Sequence, residues 1–266
     1  MQRGLFVSVG EFLNVAISVC SNDIFVFSGL LLNQVSHKLQ ISIYPINRLN
    51  ELLTSGNYNF IKASSAALVK CKNYQAVGVG ASLARIKGPQ LVQRQDRVLG
   101  NTLGVPSLNS TGALLAKKYY PHLEQIAYPL NTLSKMLMRG KLAYAVIINE
   151  DMNRLDELGL ESICDLGLRW NEENKAVLPL GLFAAHTGLS SMDITAFERA
   201  VNESVLWARS HEQKALELSQ SYAGDAQINA KHIQLFTKDA HYNPVISSYV
   251  EKLIRSLNIR NHVESF

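Results

Sequence analysis

Two short polar runs have the composition of helix starts that bind anions. Ser-Asn-Asp at 21–23 precedes the apolar run IFVFSGLLL, and Asn-Ser-Thr at 109–111 precedes GALLAKKYY. The first backbone N–H groups of a helix are free to donate, the helix dipole favours negative charge there, and hydroxyl and amide side chains add donors. Either run alone could equally be an ordinary helix cap. If both faced one site, they would suit a ligand with a carboxylate and several hydroxyls.

The cysteines and glycines predict neither a metal site nor a nucleotide loop. Cys20, Cys71 and Cys164 lie far apart, with no Cys-x-x-Cys pair and no Cys/His cluster at metal-ligand spacing. An odd number of dispersed cysteines fits reduced thiols better than a disulfide framework. The sequence also lacks the glycine spacing of a phosphate-cradling loop.

The first half of the chain alternates short apolar strands with helices, the pattern of an α/β protein. The predicted strands are Val15–Val19, Gln40–Tyr44, Gln75–Gly78, Gln90–Gln93, Leu103–Val105, Gln125–Tyr128 and Ala143–Ile148. The predicted helices between them include Asp23–Gln34, Ile46–Ser55, Thr111–Tyr120 and Leu130–Arg139. The segment Ala143–Ile148 is almost wholly apolar, which is typical of a central strand covered on both faces.

The last third of the chain is predicted to be helical. Ser190 and Asp193 have the spacing of a capping box, and an apolar stripe follows them. Asn243 followed by Pro244 predicts the start of a last helix. We expect these helices to be structural.

Composition excludes some classes of function. The 266 residues are 47% hydrophobic and 18% charged, with a net charge of +4, as in a globular protein with a substantial core. The basic residues are scattered, whereas a nucleic-acid-binding protein usually concentrates them on one face. A mild positive excess suits a small anionic ligand.

The N-terminal residues 5–20 resemble a signal peptide only weakly. Glu11 and Asn14 interrupt the apolar stretch, and Val19 is a poor small residue before Cys20. No run approaches the roughly 20 apolar residues of a membrane span. We therefore expect a cytoplasmic protein.

Several blocks of sequence resemble one enzyme family. Residues 18–23 (SVCSND) resemble its Ser-Pro-Cys-Pro-Asn-Asp motif without the prolines, and 106–112 (PSLNSTG) resemble Pro-Gly-x-x-Thr-Thr-Ala. Residues 62–67 (KASSAA) resemble Lys-x-Ser-Tyr-Ala-Ala, while 165–170 (DLGLRW) and 178–181 (LPLG) match the family's most specific blocks. By these motifs the chain resembles the 1,4-dihydroxy-6-naphthoate synthase family of the futalosine route to menaquinone.

This resemblance implies an α/β, two-lobed fold of the periplasmic-binding-protein type II kind, with a cleft between the lobes. The chain of that fold crosses twice between the lobes. We expect lobe one to comprise residues 1–95 plus 190–266, and lobe two to comprise residues 96–189.

The resemblance also implies a set of site residues. Lys62 would be a cation for a substrate carboxylate or a developing oxyanion, and Asn22 and Asp23 would line the cleft. The remaining predicted substrate-binding residues are Ser64, Ser110 and Thr111.

One position departs from the family. The strand that ends Ile-Ile-His-Glu in the family reads Ile-Ile-Asn-Glu here, so Asn149 stands where the family places its general base. Asparagine cannot take up a proton near neutral pH. Glu150, Asp151 or Asp23 could have taken over proton abstraction, with His186 a weaker candidate. Alternatively, the chain could work slowly by positioning alone, or it could bind without turnover.

The function implied by the resemblance is that of a carbon–carbon lyase without a cofactor. It would convert cyclic dehypoxanthinyl futalosine to 1,4-dihydroxy-6-naphthoate, taking a small anionic substrate and no nucleic-acid or membrane partner. Two alternatives remain, a non-catalytic solute-binding or sensor protein and the related chorismate dehydratase. The sequence does not indicate the oligomeric state.

Overall fold

The computed structural model describes residues 12–148, 150–223 and 230–257, excluding the side chains of Glu150 and Ala223. The strands are β1 (Leu13–Ser18), β2 (Leu39–Tyr44), β3 (Phe60–Ser64), β4 (Tyr74–Ala76), β5 (Ser82–Ala84), β6 (Gln90–Arg94), β7 (Thr102–Val105), β8 (Glu124–Ala127), β9 (Tyr144–Ile147), β10 (Leu160–Asp165) and β11 (Leu178–His186).

The helices are α1 (Ser21–Leu31), α2 (Ile46–Leu52), α3 (Ser65–Leu68), α4 (Thr111–Tyr119), α5 (Leu133–Met138), α6 (Leu166–Asn174), α7 (Ser191–Ser210), α8 (Glu212–Ala223), α9 (Ala230–Thr237) and α10 (Ile246–Ser256). Short 3-10 turns occupy Leu130–Thr132, Glu150–Asn153 and Asp156–Leu158.

Within the described residues the strands form two sheets of mixed direction. One has the order β2-β1-β3-β11-β4, with β5 beside β11, and the other has the order β10-β6-β9-β7-β8. Strand β1 runs parallel to β2 and β3, and β7 runs parallel to β8 and β9. The two polar runs at 21–23 and 109–111 follow β1 and β7, so each lies beyond the carboxyl end of a parallel strand.

The chain divides into two compact units. The first contains the described residues up to Ala63, together with Cys71–Ser82 and Gly181–Ser247. The second contains Ser64–Lys70, Leu83–Leu180 and the described residues from Ser248 onward.

The core of the first unit contains a cluster of phenylalanine rings among aliphatic side chains and includes helix α1. The rings of Phe60 and Phe197 stack with their centroids 3.9 Å apart, and Phe183 lies 5.6 Å from Phe197. Helix α1 is apolar on nearly all sides and packs against α7, α8 and α9. An all-round apolar helix is stable only when it is enclosed in this way.

The second unit is built around strand β9. Ala145, Val146 and Ile147 are fully buried, and β9 lies between β6 and β7 in its sheet. This confirms the prediction of a central strand. Trp170 of α6 is also fully buried, and its Nε1 donates to Ser256 Oγ at 2.8 Å.

Of the two helix starts predicted in the last third of the chain, one is confirmed and the other lies slightly later in the sequence. The capping box at Ser190 and Asp193 is present, with the Asp193 N–H donating to Ser190 Oγ at 3.2 Å. The last helix begins at Ile246, after Pro244 rather than at it. Asn243 Oδ1 accepts from the Val245 N–H at 3.2 Å, forming the turn that precedes this helix.

Among the residues that the structure describes, no helix is both long enough and apolar enough to cross a membrane.

Candidate functional site

The first unit holds a buried ion pair at the start of helix α1. Asp23 lies in the first turn of α1, and Lys62 lies in the neighbouring strand β3. Lys62 Nζ is 2.8 Å from Asp23 Oδ1, and the two side chains are only 3% and 5% exposed. The same ammonium donates to the Gly80 carbonyl oxygen at 2.5 Å. It also lies 5.1 Å from the centroid of the Phe183 ring.

Burial and the lysine act on Asp23 in opposite directions. Loss of solvent raises the pKa of the Asp23 carboxyl, whereas the charge of Lys62 and hydrogen bonds from Lys62 and Ser18 oppose that rise. The structure therefore places Lys62 inside the unit, with its charge balanced by a carboxylate and a carbonyl. Its predicted contact with a substrate carboxylate stays a prediction.

Two glycines adjoin the Lys62 side chain. A Cβ added at Gly181 would lie 3.1 Å from Lys62 Cε. Gly80, which accepts from Lys62, has a φ of +65°, and a Cβ there would lie 2.6 Å from the Phe183 ring. Gly181 belongs to the family block at 178–181, and the structure shows that it makes room for the lysine.

Asn22 and Asp23 do not cap α1 as the sequence suggested. The cap position is Cys20, which has extended backbone angles and makes no side-chain capping hydrogen bond. The Asp23 carboxylate is turned toward Lys62, and the Asn22 Nδ2 group donates to Ser82 Oγ at 3.1 Å. The capping interpretation of residues 21–23 is therefore wrong. Asp23 pairs instead with Lys62, which lies on strand β3 and is distant in sequence.

The second unit gathers the three predicted hydroxyl side chains around the start of α4. Ser110 caps this helix, accepting from the Ala113 N–H at 3.2 Å, as the sequence predicted. Buried Thr111 donates to the Leu180 carbonyl oxygen at 3.1 Å and accepts from the Ala66 N–H at 3.3 Å. Ser64 donates to the carbonyl oxygen of Asn109 at 2.9 Å. Of these three residues, half-buried Ser110 is the most accessible to a ligand.

The predicted catalytic position follows strand β9. Asn149 lies outside the described residues, as does the side chain of Glu150. The next carboxylate, Asp151, accepts from Ser134 Oγ at 2.6 Å and from Arg154 Nη2 at 2.8 Å, and is 16% exposed. Asp151 is therefore already paired with a cation and a hydroxyl.

The weaker base candidate, His186, ends strand β11 in the first unit. It is half-buried rather than solvent-facing, and its ring lies edge-on to Tyr74. Its Nδ1 accepts from the Gly188 N–H at 3.0 Å. Burial lowers the pKa of His186, which favours the neutral form of its imidazole.

The structure thus brings the predicted residues together in two groups. Asn22, Asp23 and Lys62 lie within the first unit, and the three hydroxyl residues lie within the second. Within the described part of the chain, no three His, Cys, Asp or Glu side chains are grouped so that they could hold a metal ion.

Solved structures with the same fold include solute-binding proteins. A structural-genomics target from Archaeoglobus fulgidus superposes with a TM-score of 0.84 at 22% identity, over 95% of this chain and 98% of that one. The periplasmic aliphatic sulphonate binding protein of Escherichia coli superposes with a TM-score of 0.66 at 14% identity, over 94% of this chain and 86% of that one. At these identities the likeness establishes the fold alone, which is the predicted periplasmic-binding-protein fold.

Two curated relatives carry the same enzyme name, 1,4-dihydroxy-6-naphthoate synthase. The relative from Thermus thermophilus is 28% identical over 218 residues, 80% of each chain. The relative from Streptomyces coelicolor is 26% identical over 240 residues, 85% of each chain.

A family model described as menaquinone biosynthesis matches residues 13–246. This match includes both groups of predicted site residues and the blocks at 165–170 and 178–181. The chain therefore belongs to the menaquinone biosynthesis family.

Proposed function

We propose that this protein is a 1,4-dihydroxy-6-naphthoate synthase, a lyase that cleaves cyclic dehypoxanthinyl futalosine. The observation that carries the proposal is the family match over residues 13–246, together with two relatives of that name aligned over 80% and 85% of their lengths. The reaction needs no cofactor, and we place it in the cytoplasm.

The three hydroxyl residues around the start of α4 give the most direct support for a contact with the substrate. Ser110 Oγ uses a lone pair to cap α4, and its hydrogen can be donated to a substrate oxygen. Thr111 and Ser64 fix the backbone around it, through Leu180, Ala66 and Asn109. In this proposal Ser110 contacts the substrate, while Thr111 and Ser64 hold the helix start in place.

The buried pair contributes a preorganised polar environment on the first unit. Lys62 remains a proposed partner of a substrate carboxylate or developing oxyanion, and Asp23 keeps its ammonium in a fixed position. Asn22, oriented by Ser82, supplies a further amide for the substrate.

Glu150 is the proposed general base in place of the family histidine. The competing carboxylates are engaged, Asp23 with Lys62 and Asp151 with Arg154 and Ser134. Each of these carboxylates is held in place by its partner, and Asp23 is only 5% exposed, so neither is free to approach a proton of the substrate. Asn149 would then orient the substrate by hydrogen bonding.

The alternatives from the sequence are less well supported. Solute-binding proteins share the fold at 14% identity, which carries no function. Both curated relatives are naphthoate synthases, which favours that reaction over chorismate dehydration.

The test is incubation of purified protein with cyclic dehypoxanthinyl futalosine and detection of 1,4-dihydroxy-6-naphthoate by mass spectrometry. A parallel incubation with chorismate is the control for the related enzyme. Product from the first substrate alone supports the proposal. Saturable binding without product would identify a binding protein, and turnover of chorismate would identify the dehydratase.

Two substitutions test the identity of the base. Glu150→Gln should lower kcat by at least about 100-fold, in line with the typical contribution of a general base. Asn149→His should raise kcat if the pocket still accepts the family histidine. If Glu150→Gln retains full activity, Glu150 is not the base.

A further inference from the structure

Asp165 makes more hydrogen bonds than a helix cap requires. It ends strand β10, and its Oδ1 accepts from the Leu168 N–H at 2.8 Å, which caps α6. Its Oδ2 accepts from the Gly88 N–H at 3.0 Å and from Gln90 Nε2 at 2.5 Å. The Asp165 carboxylate therefore links the start of α6 to residues 87–90, which we name the 87–90 segment.

The 87–90 segment and α6 approach at backbone contact distance. A Cβ added at Gly88 would lie 2.6 Å from Gly167 Cα, and one added at Gly167 would lie 2.8 Å from Gly88 Cα. The Leu166 N–H donates to the Pro89 carbonyl oxygen at 2.9 Å. This approach brings the Gly88 amide within reach of Asp165.

The 87–90 segment contacts the chain before and after the proposed catalytic positions, 149 and 150. Gln90 is the register partner of Ile147, at the end of β9. Lys87 Nζ donates to the Met152 carbonyl oxygen at 2.7 Å and lies 3.3 Å from Asn153 Oδ1. Ile147 and Met152 flank positions 149 and 150 in the sequence.

The same segment supports the first turn of α4. A Cβ added at Gly112 would lie 3.3 Å from Pro89 Cβ and 2.7 Å from Val146 Cγ1. The turn that begins after Ser110 therefore rests directly on Pro89 and on strand β9. A shift of the 87–90 segment would move this turn as well as the end of β9.

We propose that Asp165 is a positioning residue for the lyase reaction. Through the 87–90 segment, it holds both the chain that carries Glu150 and the helix start that carries Ser110. This inference rests on the proposed function. Asp165 itself need not touch the substrate.

The variant Asp165→Ser separates this role from helix capping. Serine is as good a helix cap as aspartate, but its single short hydroxyl cannot also hold Gly88 and Gln90. The matched control is Trp170→Phe, which removes a partly buried hydrogen bond to Ser256 from the same helix and leaves the hydrogen bonds from Asp165 to Gly88 and Gln90 in place. Both are assayed with cyclic dehypoxanthinyl futalosine, well below their melting temperatures.

We expect Asp165→Ser to lower kcat by about 10- to 100-fold, the loss that a displacement of about 1 Å can cause. Trp170→Phe should keep kcat within about 2-fold of the wild-type value, since it does not displace the reacting groups. Equal losses in the two variants, or full kcat in Asp165→Ser, would overturn the proposal.

Hydrogen–deuterium exchange gives a readout that does not depend on turnover. Asp165→Ser should speed exchange in peptides covering 87–91 and 150–153, while α6 stays protected by its serine cap. Exchange that changes only in α6 would overturn the proposal. A wild-type protein that makes no product would refute the lyase function, and exchange would then decide alone whether Asp165 holds these segments.

Lys87→Ala is the second variant, for use if Asp165→Ser fails to fold. It releases Met152 and Asn153 and leaves the Asp165 contacts in place. It should lower kcat while α6 and the Gly88 amide keep wild-type exchange. Wild-type kcat in Lys87→Ala would contradict a positioning path through this segment.

Discussion

Replacement of Lys62 by methionine tests whether the Lys62–Asp23 pair is a buried element of the fold. Methionine matches the length of the lysine stem and removes the charge. The change leaves the Asp23 carboxylate, 5% exposed, without the cation that lies 2.8 Å away. We expect a large loss of stability, because an uncompensated charge would remain in the interior.

The magnitude follows from the distance and the burial. Two unit charges 2.8 Å apart attract by roughly 6 kcal/mol at an effective dielectric constant of about 20. Protonation of Asp23 limits the loss, and measured costs of breaking such buried pairs are about 3–5 kcal/mol. For a chain of this size, that corresponds to a fall in melting temperature of about 10 °C.

The assay is urea unfolding at pH 7 of the wild type, Lys62→Met, Asp23→Leu and the double variant. The double variant should regain most of the loss, because an apolar pair of similar volume can replace a buried ion pair at little cost. The control is Arg48→Ala, which breaks an exposed pair with Glu51 and should leave the free energy of unfolding almost unchanged.

The pH dependence of this loss has a definite sign. Burial raises the pKa of Asp23 in the folded protein, and removing Lys62 removes the cause that opposed this rise. In the variant, the folded protein therefore holds the Asp23 proton more tightly than the unfolded chain does. This contribution of protonated Asp23 to stability is complete below the ordinary carboxyl pKa, and it is lost as pH rises through the folded pKa. The cost of Lys62→Met should therefore be small near pH 4 and should increase toward pH 7.

A loss below about 1 kcal/mol at pH 7, within the range of an exposed pair, would refute this reasoning. If Lys62→Met raised KM for cyclic dehypoxanthinyl futalosine without destabilising the protein, the proposed substrate contact would stand and the structural role of the pair would be refuted. A loss independent of pH would show that Asp23 does not titrate in the folded state.

Two further predictions concern close contacts in the second unit. Gly167→Ala should lower the free energy of unfolding, measured in urea, by about 1–3 kcal/mol, because the new Cβ would lie 2.8 Å from Gly88 Cα. Alanine is otherwise favoured over glycine in helices, so a neutral or stabilising effect would contradict this packing. Thr111→Val should cost about 1–3 kcal/mol, because it leaves the Leu180 carbonyl and the Ala66 N–H without their hydroxyl partner. Thr111→Ser keeps the hydroxyl and should retain most of the stability, and equal losses in the two variants would show that the methyl group matters instead.

Features that depend on neighbouring residues could be predicted from the sequence. The cap at Ser110, the capping box at Ser190 and the apolar strand β9 are present in the structure. Each is set by interactions within a few residues, or by a run of apolar side chains that must be enclosed. The sequence pattern does not predict strands β3, β5 and β10. Strand β5 is only three residues long, and the polar and apolar residues of β10 do not alternate.

The chemistry of individual side chains was harder to predict. The motif at 18–23 was recognised, yet the capping role given to its polar residues was wrong, since Asp23 pairs with Lys62. The block at 165–170 identified the family but gave no reason for its aspartate and glycine. The structure supplies that reason in the Asp165 hydrogen bonds and the close approach of Gly88 to Gly167.

The sequence by itself determined the α/β class, the family and the residues that cap individual helices. Only the tertiary structure decided which polar groups meet: Asp23 with Lys62 across neighbouring elements, and Asp165 with Gly88, 77 residues away. The physical reason is that a capping hydrogen bond is closed within one turn of chain. A buried charge instead takes whichever partner the packed core brings within about 3 Å, and no local pattern in the sequence specifies that partner.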